Sequence, residues 1–421
     1  MPESNGHRGQ AGPSHTAGEC AAVPPTASGP GTTSPDQIDL IGDWHAGPVA
    51  DGQERTAVSL VLTGRLHTPG EAVREFESYL HRQGMSRREL WGLWERPAPR
   101  GSEAEPRLGD GGYDQAGLPP WAASEQLRAA VMGLPQPGKT AMLFLSPSVG
   151  GWAGGGRAGV ERVGALVRSV SDRLLAESVG GAGAQALEGI EADGGPIRIV
   201  QALLDPGQVL EQEALGVAGF SRLAKLVYMA RTLEPDRRAQ QLDLSGLQAE
   251  NEAGSSGWRE LGYSPLTHAA FASGVLASYE DTQDCPGLLG LRTIEDVLAG
   301  HRATGRFDPS LWRVLMWGDQ PAAVMLLAAV GQLGSDATDA GSGATRPPAE
   351  TYELVYLGVA KPFRGQGLAG RLLRHGMAVV EARGGRRLLL AVDDRNEPAV
   401  SLYRALGFRA TARKLAMIRH L

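Results

Sequence analysis

Cysteine is nearly missing from this chain, since Cys20 and Cys285 are the only two among 421 residues. Two isolated thiols can build neither a disulfide framework nor a thiolate metal site. The nine histidines form no H-x-x-x-H or H-E-x-x-H grouping, so the common zinc patterns are missing from the sequence as well. We therefore expect no metal, and the scarcity of cysteine suits a reducing cytosol.

An excess of basic charge and long apolar runs are also missing. The formal net charge is −6 and the isoelectric point is near 5.9, which gives no electrostatic footprint for nucleic acid. No stretch approaches the roughly 18 apolar residues that span a bilayer, and the N-terminus has no apolar signal core. We therefore expect a cytoplasmic protein that binds neither nucleic acid nor a membrane.

The length of the chain indicates two domains of about 150 to 200 residues with additional tails. Residues 1–50 are rich in Gly, Pro, Ser and Thr, which predicts a disordered tail. A first domain is predicted over 55–233, a polar linker over 234–256 and a second domain over 257–421. Because strand and helix patterns follow one another similarly in both domains, we interpret the chain as a tandem repeat.

Four local patterns give specific expectations. The apolar run AVSLVL from Ala57 predicts a strand, SRRELWGLWER predicts a short helix, and the end of the chain predicts a pair of strands. GLPQPGKT, residues 133–140, matches the P-loop pattern, but the strand-like TAMLFLS follows it where a P-loop needs a helix. Pro135 and Pro137 also remove N–H donors, so we expect a hairpin turn there.

The segment YELVYLGVAKPFRGQGLAGRLLRHGM carries the strongest chemical signal. An apolar strand runs through the short loop RGQGLA into an amphipathic helix, and Arg364, Gly367 and Ala369 stand at the spacing R-x-x-G-x-A. Small residues let the backbone approach a phosphate, while successive N–H groups at a helix N-terminus supply donors and the positive end of the helix dipole. The segment therefore predicts a pyrophosphate site.

Together with the downstream segment DDRNEPAVSLYRALGF, this loop resembles the GCN5-related N-acetyltransferase (GNAT) superfamily. The resemblance implies that the loop holds the pyrophosphate of acetyl-CoA, which serves as co-substrate. In the first domain, SVGGWAGGGRAG lacks the R/Q-x-x-G-x-G/A spacing. A degenerate copy followed by a complete one is similar to the tandem arrangement of mycothiol synthase and its relatives. We therefore expect α/β folds with mixed sheets (α+β) in two tandem GNAT-like domains, of which the second is catalytic.

The resemblance also implies individual roles. Glu353 is expected to be the base, acting through water, with its side chain on the same face as Val355 and Leu357; alternatively it is a strand-end carboxylate that faces solvent. Tyr403 is expected to be the acid that protonates the thiolate, or an aromatic that only packs over the cofactor. The expected cofactor-binding residues are Leu357, Gly358, Val359, Arg364, Gly365, Gln366, Gly367, Leu368, Ala369, Gly370 and Asn396, and Asn396 also has the position of a helix cap.

Two departures from the mycothiol synthase pattern concern the substrate. AAVMLLAAV carries no basic residue, and Ala391 stands where the resemblance implies an aromatic residue, so both argue against the mycothiol precursor. We expect an N-acetyltransferase that acts on a primary amine of a small molecule, as a monomer or homodimer. The alternatives are a protein or peptide N-acetyltransferase and a non-catalytic acyl-CoA-binding regulatory protein.

Overall fold

A computed structural model describes residues 38–39, 44–50, 52–63, 73–74, 76, 89–95, 126–148, 152, 155–176, 195–234, 257–330 and 351–421. The predicted linker beyond Glu234 and most of the predicted tail lie outside these residues. Within the part of the chain that the structure describes, no helix is both long and apolar enough to cross a membrane.

The first half of the described chain contains seven strands and three helices. These are β1 (Ile38–Asp39), β2 (Trp44–Pro48), α1 (Glu54–Thr63), β3 (Glu89–Glu95), β4 (Gln126–Gln136), β5 (Thr140–Leu145), α2 (Gly156–Ala176), β6 (Ile199–Leu204), α3 (Val209–Val217) and β7 (Ser221–Thr232). Helix α2 has Val and Leu side chains that recur at helical spacing and face the core.

The second half repeats this order of elements. It contains β8 (Trp258–Gly262), α4 (His268–Tyr279), α5 (Ile294–Arg302), β9 (Trp312–Trp317), β10 (Gln320–Val330), β11 (Thr351–Val359), α6 (Leu368–Ala382), β12 (Arg387–Asp393), α7 (Glu397–Ala405) and β13 (Arg409–His420). Short 3₁₀ turns precede β9 and α6.

All thirteen strands belong to one mixed sheet in the order β1-β2-β3-β4-β5-β6-β13-β7-β12-β11-β10-β9-β8. The two halves exchange strands at its centre. The last strand of the second half, β13, pairs antiparallel with β6 and β7, while β7 of the first half pairs with β12 of the second. Each half therefore completes its sheet with a strand from the other.

Helices cover both faces of the second half of the sheet. Gly274 brings α4 against one face, since a Cβ at Gly274 would lie 2.4 Å from Cγ2 of Val324. Gly376 brings α6 against the other face, where a Cβ would lie 2.8 Å from Sδ of the neighbouring Met325. Because Val324 and Met325 are consecutive in β10, their side chains point to opposite faces. The site described below lies between these two helix layers.

Several expectations from the sequence are wrong. AVSLVL belongs to helix α1 and ELWGLWE forms strand β3, because short apolar runs fit either element and the tertiary packing decides between them. Strand β2 lies inside the segment predicted as a disordered tail, where Trp44 and Ala46 are buried against β3. The expected terminal strand pair is one long strand, β13, whose partners come from the first half.

The P-loop-like segment is a hairpin turn, as expected. Residues 137–139 connect β4 and β5, and Gly138 adopts φ +82°. This turn packs against α5, since a Cβ at Gly138 would lie 2.2 Å from the carbonyl oxygen of Asp296. Lys139 Nζ lies 3.3 Å from a carboxylate oxygen of the same aspartate. The lysine therefore binds the second half of the protein.

The exchange predicts that the two halves unfold together. Met229 on β7 is buried in the core of the second half, and Met417 on β13 is buried in the core of the first. Alanine at either position should remove about 2–5 kcal/mol of stability through the cavity it leaves. Urea unfolding should show one transition that both substitutions shift, whereas Leu266→Ala, at a side chain 96% exposed, should not shift it. Two transitions, each shifted by only one methionine variant, would contradict the exchange.

Candidate functional site

Strands β11 and β12 separate partway along their length. Their parallel pairing joins Thr351 to Arg387 and ends at Glu353 and Leu389, although β11 continues to Val359. The opposite edge of β11 stays paired with β10 to its end. The later residues of β11 therefore present backbone N–H and C=O groups to the gap, and such groups need partners when they are buried. The opening lies along Leu357, Gly358 and Val359, three of the cofactor-binding residues expected from the sequence.

A β-bulge decides where the side chains of β11 point. The register with β10 skips Val355, and one extra residue reverses the alternation of faces along a strand. Gly358 faces α4, because a Cβ there would lie 2.4 Å from Oγ of Ser278. Counting back through the bulge places Glu353 on that same face and Leu357 on the opposite one. The expectation that Glu353 and Leu357 share a face is therefore wrong, since the sequence pattern does not show the bulge.

Glu353 is half-buried, and this burial raises the pKa of its carboxyl above the ordinary value. Its negative charge acts on a residue from the first half, Tyr228 of β7. Burial and, second, the charge of Glu353 raise the pKa of the Tyr228 phenol. A carboxylate with a raised pKa is a stronger base than one in water, which suits the removal of a proton from an ammonium group.

The loop before α6 has the geometry of an anion site. Gly365 and Gly367 adopt φ +79° and +75°, and a Cβ at either would meet no atom of the described residues within 4 Å. No side chain in this part of the described chain caps the N-terminus of α6. Helix N-termini leave their first N–H groups without intrahelical partners, so the amides from Leu368 to Gly370 are available to an anion. The expected cradle residues Gly365, Gln366, Gly367, Leu368, Ala369 and Gly370 therefore lie together.

The side chain of Arg364 has a different task from the backbone amides. Its guanidinium donates hydrogen bonds to the carbonyl oxygens of Ser278 at 3.1 Å, Glu280 at 2.6 Å and Asp281 at 3.3 Å. Its Nε also donates to the carbonyl oxygen of Val359 at 3.2 Å. A cation is favourable at a helix C-terminus, so Arg364 ties the loop to the end of α4. A direct contact of Arg364 with the cofactor stays a prediction.

Two expected residues lie on α7. Asn396 caps this helix, because its side-chain oxygen accepts the N–H of Ala399 at 3.3 Å, which confirms the capping alternative. Tyr403 is 7% exposed, and its ring packs 5.9 Å from that of Phe408. Burial first, and then the negative charge of Asp284, raise the pKa of Tyr403. The phenol therefore keeps its proton, as a general acid must.

A polar cluster at the end of β12 was not expected from the sequence. Asp393 is fully buried and accepts hydrogen bonds from the Cys285 N–H at 3.3 Å and from the Arg395 guanidinium at 2.7 Å. In return, a side-chain oxygen of Asp284 accepts the N–H of Asp393 at 3.0 Å. These bonds fasten the connection between α4 and α5 to β12. Asp284 in DTQDCPG and Asp393 in DDRN were the signals of this cluster in the sequence, and acidic residues are common in loops.

The first half repeats the opening but not its chemistry. Strands β5 and β6 pair in parallel from Thr140 to Met142, so the register places Met142 where the second half has Glu353. The Trp152 indole is buried in the core of the first half and donates to the carbonyl oxygen of Ser146 at 3.2 Å. The buried carboxylate of Glu211 accepts the N–H of Ser148 at 2.6 Å. The thioether of Met142 thus takes the place of the Glu353 carboxylate, and the Glu211 carboxylate lies beside the loop.

Among the described residues, no group of three or more His, Cys, Asp or Glu side chains is arranged to hold a metal ion.

Residues 288–408 match the sequence profile of the acetyltransferase (GNAT) family. The second half of the chain contains a GNAT domain. Sequence relatives agree with this: mycothiol acetyltransferase of Corynebacterium glutamicum strain R is 39% identical over 59 residues, which are 14% of this chain and 20% of that protein. N-alpha-acetyltransferase 30 of Schizosaccharomyces pombe is 36% identical over 55 residues, 13% of this chain and 37% of that protein. The matched part thus spans about a fifth to two fifths of these relatives.

Solved structures with the same type of domain align over nearly the whole chain. A GCN5-related N-acetyltransferase from Sphaerobacter thermophilus is 16% identical, with a TM-score of 0.48, and the alignment covers 91% of this chain and 97% of that one. A tandem GNAT protein from the clavulanic acid biosynthesis pathway is 13% identical, with a TM-score of 0.40, covering 90% and 98%. The pattern of two GNAT-like halves rests on the repeated elements and openings described above.

The differences between the two halves predict one CoA site in each chain. Gly367→Glu places a carboxylate in the cradle of the GNAT domain and should weaken CoA binding by at least about tenfold, since it opposes the phosphates. Gly155→Glu is a matched control, because Gly155 also has a positive φ, +65°, with open space around it, in the first half. The control should bind like the unaltered protein. Calorimetry on the full chain that gave two sites, or weakening by Gly155→Glu, would contradict this assignment.

Proposed function

We propose that this protein is an N-acetyltransferase that moves the acetyl group of acetyl-CoA to a primary amine of a small molecule. The observation that carries the proposal is the opening between β11 and β12, which has the glycine loop before α6 at one end and the half-buried Glu353 at the other. The GNAT profile over residues 288–408 supports it. A cytoplasmic location is part of the same proposal.

The site fits acetyl-CoA, because Gly365 and Gly367 leave open space and the N-terminus of α6 favours negative charge. The amides of the loop would hold the pyrophosphate. The edge of β11 that β12 leaves unpaired, from Leu357 to Val359, would hold the pantetheine arm through groups other than the Val359 carbonyl, which Arg364 already binds. When bound, the cofactor supplies an activated acetyl group as a thioester.

Two side chains have the protonation states that the reaction needs. Glu353 would take a proton from the incoming ammonium, directly or through water, and its raised pKa makes the carboxylate a better base. Tyr403 would hold a proton at its hydroxyl for the departing thiolate, because burial and the charge of Asp284 keep the phenol neutral. No covalent bond to the protein is required.

Glu353→Gln tests the proposal. The amide keeps the size of the side chain but cannot accept the proton, so kcat should fall by about 10²–10⁴ while the affinity for CoA stays unchanged. Because the pKa of Glu353 is raised, kcat/KM of the unaltered enzyme should fall as the pH drops through a value above about 4.3, the ordinary glutamate pKa. That acid limb should be missing in Glu353→Gln.

The measurement is a pH series of thiol release from acetyl-CoA with a panel of primary amines, including a peptide with a free N-terminus. A panel in which only the peptide reacts would favour the peptide N-acetyltransferase. Tight CoA binding without turnover of any amine would favour an acyl-CoA-binding regulatory protein and overturn the proposal.

A further inference from the structure

The first half contributes an aromatic side chain to the face of the sheet that carries Glu353. Strand β7 continues the sheet beyond β12, with Ala230 paired to Leu389 and Tyr228 paired to Ala391. Leu389 is also the partner of Glu353. Paired residues of neighbouring strands point to the same face, and residues two apart in one strand do so as well. Glu353, Ala391 and Tyr228 therefore lie on one face.

Next to Ala391, side chains of β12 and β7 on this face are at least partly exposed, whereas those on the opposite face are buried. Ala391 is exposed and Tyr228 half-buried, whereas the alternate residues Val227, Met229 and Leu390 are buried in the core. On this face Leu389 stands beside Glu353, and two residues further along β12 the methyl group of Ala391 stands beside Tyr228. We call the surface over Ala391 the slot; it lies between the positions of Glu353 and Tyr228, beside the opening between β11 and β12.

The electrostatic coupling agrees with this geometry. The charge of Glu353 raises the pKa of Tyr228, so the two side chains lie close enough to interact through the slot.

The corresponding positions of the first half can be compared with these three, because β5, β6 and β13 pair in the same order as β11, β12 and β7. Met142 takes the place of Glu353, Leu203 that of Ala391, and Ala416 of the exchanged strand β13 that of Tyr228. Ala416 is buried. The first half thus lacks the carboxylate, the small residue and the aromatic ring together. The three features occur together at the opening between β11 and β12.

We propose that Tyr228, supplied by the first half through the exchanged strand, forms the wall of the acceptor slot opposite Glu353 and packs its ring against the carbon atoms next to the reacting amine. This inference rests on the proposed function and names the residue that selects the acceptor. An aromatic ring suits this position, because it gives apolar contact to the carbon chain and a negatively polarised face to an arriving ammonium group. The degenerate half is therefore part of the acceptor site of the other.

The test is a comparison of two ligands by calorimetry on the full chain, and it needs no turnover. One ligand is CoA, and the other is CoA whose sulfur is joined through an acetamide bridge to an n-butyl group, so that the butyl arm occupies the place of the acceptor. The dissociation constant of CoA divided by that of the butyl-bearing ligand measures the contact with the butyl arm alone. In Tyr228→Ala this ratio should fall about tenfold, with the affinity for CoA unchanged.

Two variants serve as controls. Tyr228→Phe retains the ring and should keep the ratio within about threefold of the unaltered protein. Lys225→Ala changes an exposed side chain on the opposite face of the same strand and should leave the ratio unchanged.

The inference is overturned if Tyr228→Ala leaves the ratio unchanged, or if the unaltered protein binds both ligands equally. A loss of CoA affinity in Tyr228→Ala equal to the loss for the second ligand would also overturn it, since that would indicate a structural role. A protein that binds neither ligand would refute the proposed function itself, and this outcome is distinct from the other three.

Discussion

The parallel strands β11 and β12 remain paired only from Thr351 to Glu353, and the rest of the site depends on the gap beyond. Along most of the sheet, backbone N–H and C=O groups of neighbouring strands satisfy one another. At this gap they face an open edge, which is unfavourable for a protein unless a ligand or water supplies partners. The bulge at Val355, the capped helix α7 and the bonds of Asp284 to β12 all lie around the gap and fix its shape.

The strand exchange makes the first half, which has Met142 in the place of Glu353, part of the core of the second half. Without β7 the second half would lose the strand beside β12, and its core would lose Val227 and Met229. Without β13 the first half would lose Leu415 and Met417 from its own core. The two halves thus form one sheet, and the first half stabilises the GNAT domain by supplying an internal strand.

Two features of the second half could be predicted from its sequence, because their residues are diagnostic. Gly365 and Gly367 adopt the positive φ angles that the loop motif requires, and Asn396 caps the helix predicted after it. Short apolar runs in the first half were assigned to the wrong element, since AVSLVL fits a helix as well as a strand. The side-chain direction of Glu353 was missed because a bulge of one residue is invisible in the pattern.

Tyr228 could not have been found from the sequence. It lies in a strand of the degenerate half, 125 positions before Glu353, and only the exchange brings the two strands onto one sheet face. Pairing between distant segments is decided by the whole fold, so local periodicity contains no information on it. The same holds for β13, whose partners β6 and β7 lie in the other half.

The claim that backbone amides at the gap and the α6 N-terminus hold the cofactor is tested most directly by hydrogen–deuterium exchange of the full chain with and without CoA. The account predicts that CoA slows exchange of the amides in residues 357–359 and 365–370, while those in residues 142–146 and 155–160 of the first half keep their rates. Slowing in the first half, or none in the second, would contradict it.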